Sequence, residues 1–211
     1  MNIILLGGPG SGQGTQSKKI AEKFNLFYLE TGDLSREWAE KDNRINNIIS
    51  KGELIPENEM TEYVLNYLEG HVSMFNNILF EGFPRFLSQY ISLEEYLRSK
   101  NSGIDNIIYL KVSDEEIIKR LSSRRTCKKC DAVFNMITNP PPTESNCTCG
   151  GELFQRTDDN PQSLKIRLKE FKENSLPIIN YIKDNNKFIQ INGEQPIEKI
   201  FEDILNGLEV K

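Results

Sequence analysis

The chain carries a single histidine, His71, and its four cysteines all fall between positions 127 and 149. It has no internal repeat, no low-complexity tract and no apolar stretch near the ~18–20 residues that a membrane-spanning helix needs. Each absence excludes something. Without a long apolar run, a bilayer-spanning role is not expected. The short N-terminal run Asn2–Leu6 follows no basic segment and precedes no cleavage site, so it is not expected to be a secretory leader. Cysteines confined to one span of such a chain favour a metal site or free thiols over disulfides, with a cytoplasmic location as the expectation. A net charge of −5 argues against a general nucleic-acid or membrane-surface binder, although small basic clusters could still hold phosphates. His71 lies at the end of a helix-like segment and reads as structural rather than catalytic; Trp38, beside the 31–36 motif, reads as packing.

What is present is ordinary for a globular protein: 211 residues, 37% hydrophobic and 27% charged, enough for one main domain with one or two inserted subdomains. Apolar runs suited to buried parallel strands occur at 3–6, 27–29, 78–80, 107–112 and 188–191. Helix-like segments lie between them, at about 14–24, 57–70, 87–100, 114–124, 161–184 and 196–208. The alternation implies an α/β fold with a parallel sheet flanked by helices. Asp114, Glu115 and Glu116 make an acidic helix start, Pro161 suits a first turn, and Pro177 is expected to kink the helix it lies in. Two stretches break the pattern, 30–56 and 125–157. Both read as insertions at the carboxyl edge of the sheet, where open α/β sheets bind ligands.

The stretch "GGPGSGQGTQ", residues 7–16, follows the first strand. Glycines at 7, 8, 10, 12 and 14 let the backbone turn tightly and aim successive N–H groups at an anion, and the following helix adds its positive end. Gly7 and Gly12 satisfy the G-x-x-x-x-G spacing of a phosphate-binding loop. The next two positions should be Lys and Ser/Thr, but are Gln13 and Gly14, with Thr15 one residue later. An amide donates hydrogen bonds but carries no charge. Losing one preorganised donor of this kind typically costs on the order of 10²–10³ in rate, roughly 3–4 kcal/mol, while backbone binding of phosphate persists.

Together with "TGDLSR" (31–36), "FEGFPR" (80–85) followed by Gln89, "RLSSRR" (120–125) and "QRTDD…KIRL" (155–168), this loop resembles the adenylate kinase family, in its motif order and from end to end of the chain. The resemblance implies a P-loop NTPase-like core of 1–29, 60–121 and 160–211, a nucleoside-monophosphate-binding insertion at 30–59 and a LID at 122–159. It implies reversible phosphoryl transfer, ATP plus AMP to two ADP, with Mg2+, by a chain that is usually a monomer.

The chemistry suits the resemblance, because phosphoryl transfer needs positive charge around an in-line phosphate more than covalent help. By resemblance Arg36 and Arg85 hold the AMP phosphate, Arg120 and Arg124 hold the ATP phosphates, and Arg156 and Arg167 reach the transferring group. Gly10, Ser11, Gly12, Gln13, Gly14 and Thr15 form the ATP phosphate cradle, with the ATP base near Val133, Phe134 and Gln195. Gln89 matches the family's adenine-reading glutamine, whose amide suits adenine. Thr31, the backbone of Glu53, Leu54 and Ile55, and the turn Gly82-Phe83-Pro84 complete the AMP site.

Four positions depart from the family pattern. Gln13 replaces the lysine. Glu81 stands where the family has an aspartate that positions Mg2+ waters. Ser35 and Phe86 replace Leu and Thr.

Cys127-Lys-Lys-Cys130 and Cys147-Thr-Cys149 present two knuckles suited to a tetrahedral structural Zn2+ that would fold the LID. Zinc-bearing relatives have one more residue in the second knuckle. Two other readings stay open: a catalytically impaired nucleotide-binding homologue, and a nucleoside monophosphate kinase with another acceptor.

Overall fold

The computed structural model describes residues 1–209. Strand β1 (Ile3–Gly7) is followed by helix α1 (Gln13–Phe24), β2 (Phe27–Glu30), α2 (Thr31–Ala39), α3 (Asn43–Ser50) and α4 (Glu57–His71). Next come β3 (Ile78–Glu81), α5 (Leu87–Ser99), β4 (Asn106–Lys111) and α6 (Asp114–Ser122). Three short strands, β5 (Arg124–Cys127), β6 (Val133–Asn135) and β7 (Leu153–Phe154), precede α7 (Pro161–Glu170), α8 (Leu176–Ile182), β8 (Phe188–Asn192) and α9 (Ile197–Glu209).

Five strands form one parallel sheet in the order β2-β3-β1-β4-β8. All five residues of β1 are buried, which is why it reads as an uninterrupted apolar run. Its side chains still alternate between faces. Ile4 and Leu6 join Phe80, Val64, Leu93 and Ile178 on one side, while Ile3 and Leu5 join Leu79, Ile108, Ile20 and Ile204 on the other. Each fully buried Leu or Ile contributes roughly 1.5–3 kcal/mol. The α/β fold with helices on both faces of a parallel sheet is thus observed.

The register aligns the carboxyl ends of the strands. Leu5 pairs with Glu81, and Glu30 pairs with Glu81 from the other side. The loop after β1, the end of β2 and the end of β3 therefore meet at one edge, where the sheet order changes direction.

Local chemistry sets the helix starts. Ser113 accepts from the Glu116 N–H at 3.4 Å to open α6, beside three acidic residues. Asn160 accepts from Gln162 and Ser163 at 3.0 and 2.9 Å ahead of Pro161. Asp42 caps α3 in the same way. The single helix expected over 161–184 is instead divided, with a π-helical turn over Phe171–Ser175 directly before α8. Pro177 has no N–H and excludes a carbonyl four residues back, and the wider turn accommodates both. The segment expected as helix to 124 ends at Ser122, so Arg124 begins a strand.

Residues 124–154 carry the antiparallel sheet β6-β5-β7, structure that the Pro- and Cys-rich composition did not reveal. No helix among the described residues is long and apolar enough to cross a membrane.

Candidate active site

The glycine loop leaves β1 with Ser11 N–H donating to Gly8 O at 3.1 Å. Gly10 and Gly12 adopt φ of 75° and 98°, conformations that glycine takes without steric cost. A Cβ on Gly10 would also lie 2.6 Å from Leu121 Cγ, so α6 packs directly on the loop. The Gln13 side chain does not extend from the loop. Its Nε2 donates to Leu5 O at 2.9 Å, and the residue is buried. The buried Ser11 Oγ has no hydrogen-bond partner among the described residues. Gln16 Nε2 donates to Ile197 O at 2.9 Å, fastening α1 to the start of α9.

A cleft of about 1650 Å³ opens from this loop. It is lined by all six arginines expected at the site, Arg36, Arg85, Arg120, Arg124, Arg156 and Arg167, together with Gly12, Gln13, Gly14, Thr15, Thr31 and Gln89. Gly10, the Glu53–Ile55 backbone segment, Glu81, Gly82, Val133, Phe134 and Gln195 also border it. Ser11, Phe83 and Pro84 do not. Phe83 is a core residue, and Pro84 follows a cis peptide bond and lies beneath the cleft.

Five of the arginines are held by carboxylates. Arg124 grips the buried Asp159 with two bonds of 2.7 and 2.6 Å. Arg156 spans Asp158 at 3.1 and 3.2 Å, and Arg167 reaches Asp158 at 2.9 Å and Asp159 at 3.2 Å. Arg120 bonds Glu116 at 2.8 Å, and Arg36 bonds Asp33 and Glu30. Arg85 has no carboxylate partner within salt-bridge distance among the described residues, its Nε donating to Gly82 O at 2.9 Å.

Burial pulls the Arg167 guanidinium down to about 10 and lowers Arg156 and Arg85 as well. Burial alone would raise the Asp158 carboxyl. Arg167, Arg156 and Arg124 outweigh it and hold Asp158 below its ordinary range. The cleft therefore presents guanidinium donors that are paired with carboxylates or desolvated, and a desolvated guanidinium binds an anion more strongly than an exposed one.

Between the loop and α2 lies an acidic network that sequence reasoning only partly identified. Tyr28 donates to Glu81 and lies 3.2 Å from Glu30 Oε2. Burial holds the Glu81 carboxyl above its usual range, with Tyr28 and Ser17 acting in the opposite sense. Burial, then Glu81 and Asp33, pushes Glu30 up to about 7. Gly14 borders this network, and a Cβ there would make only ordinary contact, 3.5 Å from Glu81 Oε1. Glu30 and Tyr28 were missed. Their signal was position, since the end of β2 must lie beside the end of β3.

Gln89 has a second engagement. Its Oε1 accepts from Arg85 N and Phe86 N at 2.8 and 3.3 Å, and its Nε2 donates to Glu57 O at 3.1 Å. The carboxamide thus caps α5 and ties it to α4, leaving one N–H of the amide for any ligand. Thr31 Oγ1 donates to Glu81 O at 3.1 Å, and Ser35 Oγ donates to Thr31 O at 2.6 Å. At the far end, Gln195 Nε2 bonds Asp203 at 2.9 Å. His71 stacks on Tyr67, and Trp38 stacks on Tyr63; neither lines the cleft.

The four cysteine Sγ atoms lie within 4.8 Å of one another. Contacts of 3.3–3.6 Å link Cys130 to Cys149, Cys127 to Cys149 and Cys130 to Cys147. Four thiolates on a tetrahedral Zn2+ with bonds of ~2.3 Å sit roughly 3.8 Å apart, so the donor set fits that ion. The short second knuckle closes as a tight turn, with Gly150 N–H donating to Cys147 O at 2.9 Å and Cys147 N–H to Gly151 O at 2.8 Å. The Cys149 backbone N–H holds the Cys147 thiol down to about 6, toward the thiolate that a metal requires.

A glycine loop between a central parallel strand and its helix, opening on an arginine-lined cleft, defines a P-loop protein of the α/β class. The adenylate kinase family model matches residues 5–187. The chain is similar to the adenylate kinase of Thermosipho africanus, 34% identical over 98% of both chains. It is also similar to that of Archaeoglobus fulgidus, 36% identical over 99% of this chain and 98% of the relative. The adenylate kinase of Bacillus licheniformis is 34% identical over 97% of this chain and 96% of its own length. The chain belongs to the adenylate kinase family of nucleoside monophosphate kinases.

Proposed function

We propose that the chain catalyses reversible phosphoryl transfer from ATP to AMP, giving two ADP, at a rate reduced by Gln13. The convergence of six arginines on one cleft at the mouth of the glycine loop carries this reading. Arg36 and Arg85 take the acceptor phosphate, Arg120 and Arg124 the donor phosphates, and Arg156 and Arg167 the group in flight. Thr31, Gln89, Glu53–Ile55 and Gly82 form the acceptor-base pocket, and Val133, Phe134 and Gln195 border the donor base.

Mg2+ bound with ATP neutralises charge on the β- and γ-phosphates, and Glu81 is the carboxylate beside the loop able to orient its water shell. The backbone of Gly10–Thr15 cradles the donor phosphates without needing residue 13 to be charged. Gln13, its amide turned back onto Leu5 O, supplies no cation where one would stabilise the transferring group. Binding therefore suffers less than turnover.

Residues 30–59 act as the acceptor-binding insertion and 122–159 as a LID that excludes water when closed. A structural Zn2+ on Cys127, Cys130, Cys147 and Cys149 holds the LID together, leaving no open position for catalysis. The chain acts as a cytoplasmic monomer.

An acceptor panel tests the assignment. With ATP as donor, AMP should support phosphoryl transfer and UMP and CMP should be poor acceptors. Equal or greater rates with a pyrimidine nucleotide overturn the assignment of AMP.

A further inference from the structure

Arg36 differs from the other acceptor-side arginine in its company. Arg85 has no carboxylate within salt-bridge distance among the described residues, whereas Arg36 has two, Glu30 and Asp33. These two are not equivalent. Asp33 lies one turn away on α2 with its side chain 55% exposed, the setting of a weak surface pair. Glu30 comes from the end of β2, its side chain only 22% exposed, with Oε1 3.4 Å from Arg36 Nη2.

The other oxygen of Glu30 is anchored, since Tyr28 OH lies 3.2 Å away and also bonds Glu81. Carboxylate and guanidinium meet over Gly32, where a Cβ would lie 3.3 Å from Arg36 Nη1 and 3.6 Å from Glu30 Oε1. Glu30 is the N-cap residue of α2, yet its side chain caps nothing. It is spent on Arg36 instead, in the wall of the cleft.

We propose that Glu30 is an internal competitor for Arg36, occupying the guanidinium that the acceptor phosphate must use and so setting the affinity for the acceptor nucleotide. This rests on the assignment of Arg36 to the acceptor phosphate. An incoming phosphate dianion meets a guanidinium already neutralised and a carboxylate fixed beside it. Binding must displace Glu30 from Arg36 or bear the repulsion between like charges. The cost falls on ground state and transition state alike, because Arg36 holds the acceptor throughout, so it appears in KM and not in kcat.

The experiment compares the full chain with Glu30→Gln, by calorimetric titration with AMP and with adenosine and by steady-state ADP formation. Glu30→Gln should bind AMP at least about fivefold more tightly. Adenosine affinity should stay within about twofold, since it lacks the phosphate. KM for AMP should fall in parallel, with kcat at saturating AMP nearly constant. Glu30→Ser, which removes the competing carboxylate by a different side chain, should give the same pattern if Glu30→Gln folds poorly.

Unchanged or weakened AMP binding overturns the proposal. Equal tightening of AMP and adenosine also overturns it, because the effect would then belong to the base pocket. Absence of ADP formation by the unsubstituted chain would instead count against the kinase assignment, and the binding comparison reads out independently of it.

Discussion

The Gln13 side-chain amide donates a 2.9 Å hydrogen bond to the carbonyl of Leu5, turning back onto the strand from which the glycine loop emerges. The residue at this position is thereby part of the joint between β1 and α1. The loop's turns fall on Gly10 and Gly12, both at positive φ, and none of them requires charge at position 13.

Asn2 holds the amino edge of the sheet together. Fully buried, it places Nδ2 within 2.8–3.0 Å of Phe75 O, Ser102 Oγ and Gly103 O, and its Oδ1 accepts from Ile78 N–H at 3.0 Å. Asn2→Ala leaves several buried groups unpaired and should destabilise the fold by about 2–4 kcal/mol. Urea unfolding measures this; a loss below about 0.5 kcal/mol contradicts it.

Gln89 caps its helix as well as lining the cleft. Gln89→Ala should lower stability by about 1 kcal/mol, because Arg85 N–H and Phe86 N–H lose their acceptor. A variant that weakens AMP binding at unchanged unfolding midpoint would show that the cap contributes nothing.

Much of the fold was legible because buried parallel strands read as apolar runs, and the loop was legible because five glycines follow the first of them. Glu30 was not, since its importance arises from register with Glu81, about fifty residues away in sequence. Strands β5–β7, only two to four residues long, offer no period to detect. Gln89 was legible as a pocket residue but not as the tie between α5 and α4, because its partner Glu57 comes from another helix. The arginines were found by motif, yet the partners of Arg124 and Arg167 depend on how β5 and α7 converge on Asp158 and Asp159.

The cysteine cluster predicts about one Zn2+ per chain in protein purified without chelator. Cys147→Ser should abolish its retention and lower the thermal midpoint. Gly151→Ala should weaken it, because the added Cβ would lie 2.6 Å from Cys127 Sγ. A metal content near zero in the unsubstituted protein contradicts a structural zinc.

Burial, with Glu81 and Asp33, raises the Glu30 carboxyl from 4.5 to about 7, so below about pH 7 the folded protein keeps a proton that the unfolded chain releases, and above it Glu30 is the carboxylate that faces Arg36. That contribution to stability is complete below about pH 4.5 and is lost as pH rises through about 7, amounting to ~1–2 kcal/mol after solvent screening. Urea unfolding across this window should show the protein losing stability relative to Glu30→Gln as pH rises. Parallel pH profiles for the two proteins would remove Glu30 from the account.

The most direct measurement is the rate of ADP formation from ATP and AMP by this chain and by Gln13→Lys, with ATP affinity measured alongside. The account predicts measurable turnover by the chain, at least about a hundredfold faster turnover with lysine, and ATP affinity changed far less than rate. Equal rates for the two proteins, or no ADP from either, would contradict it.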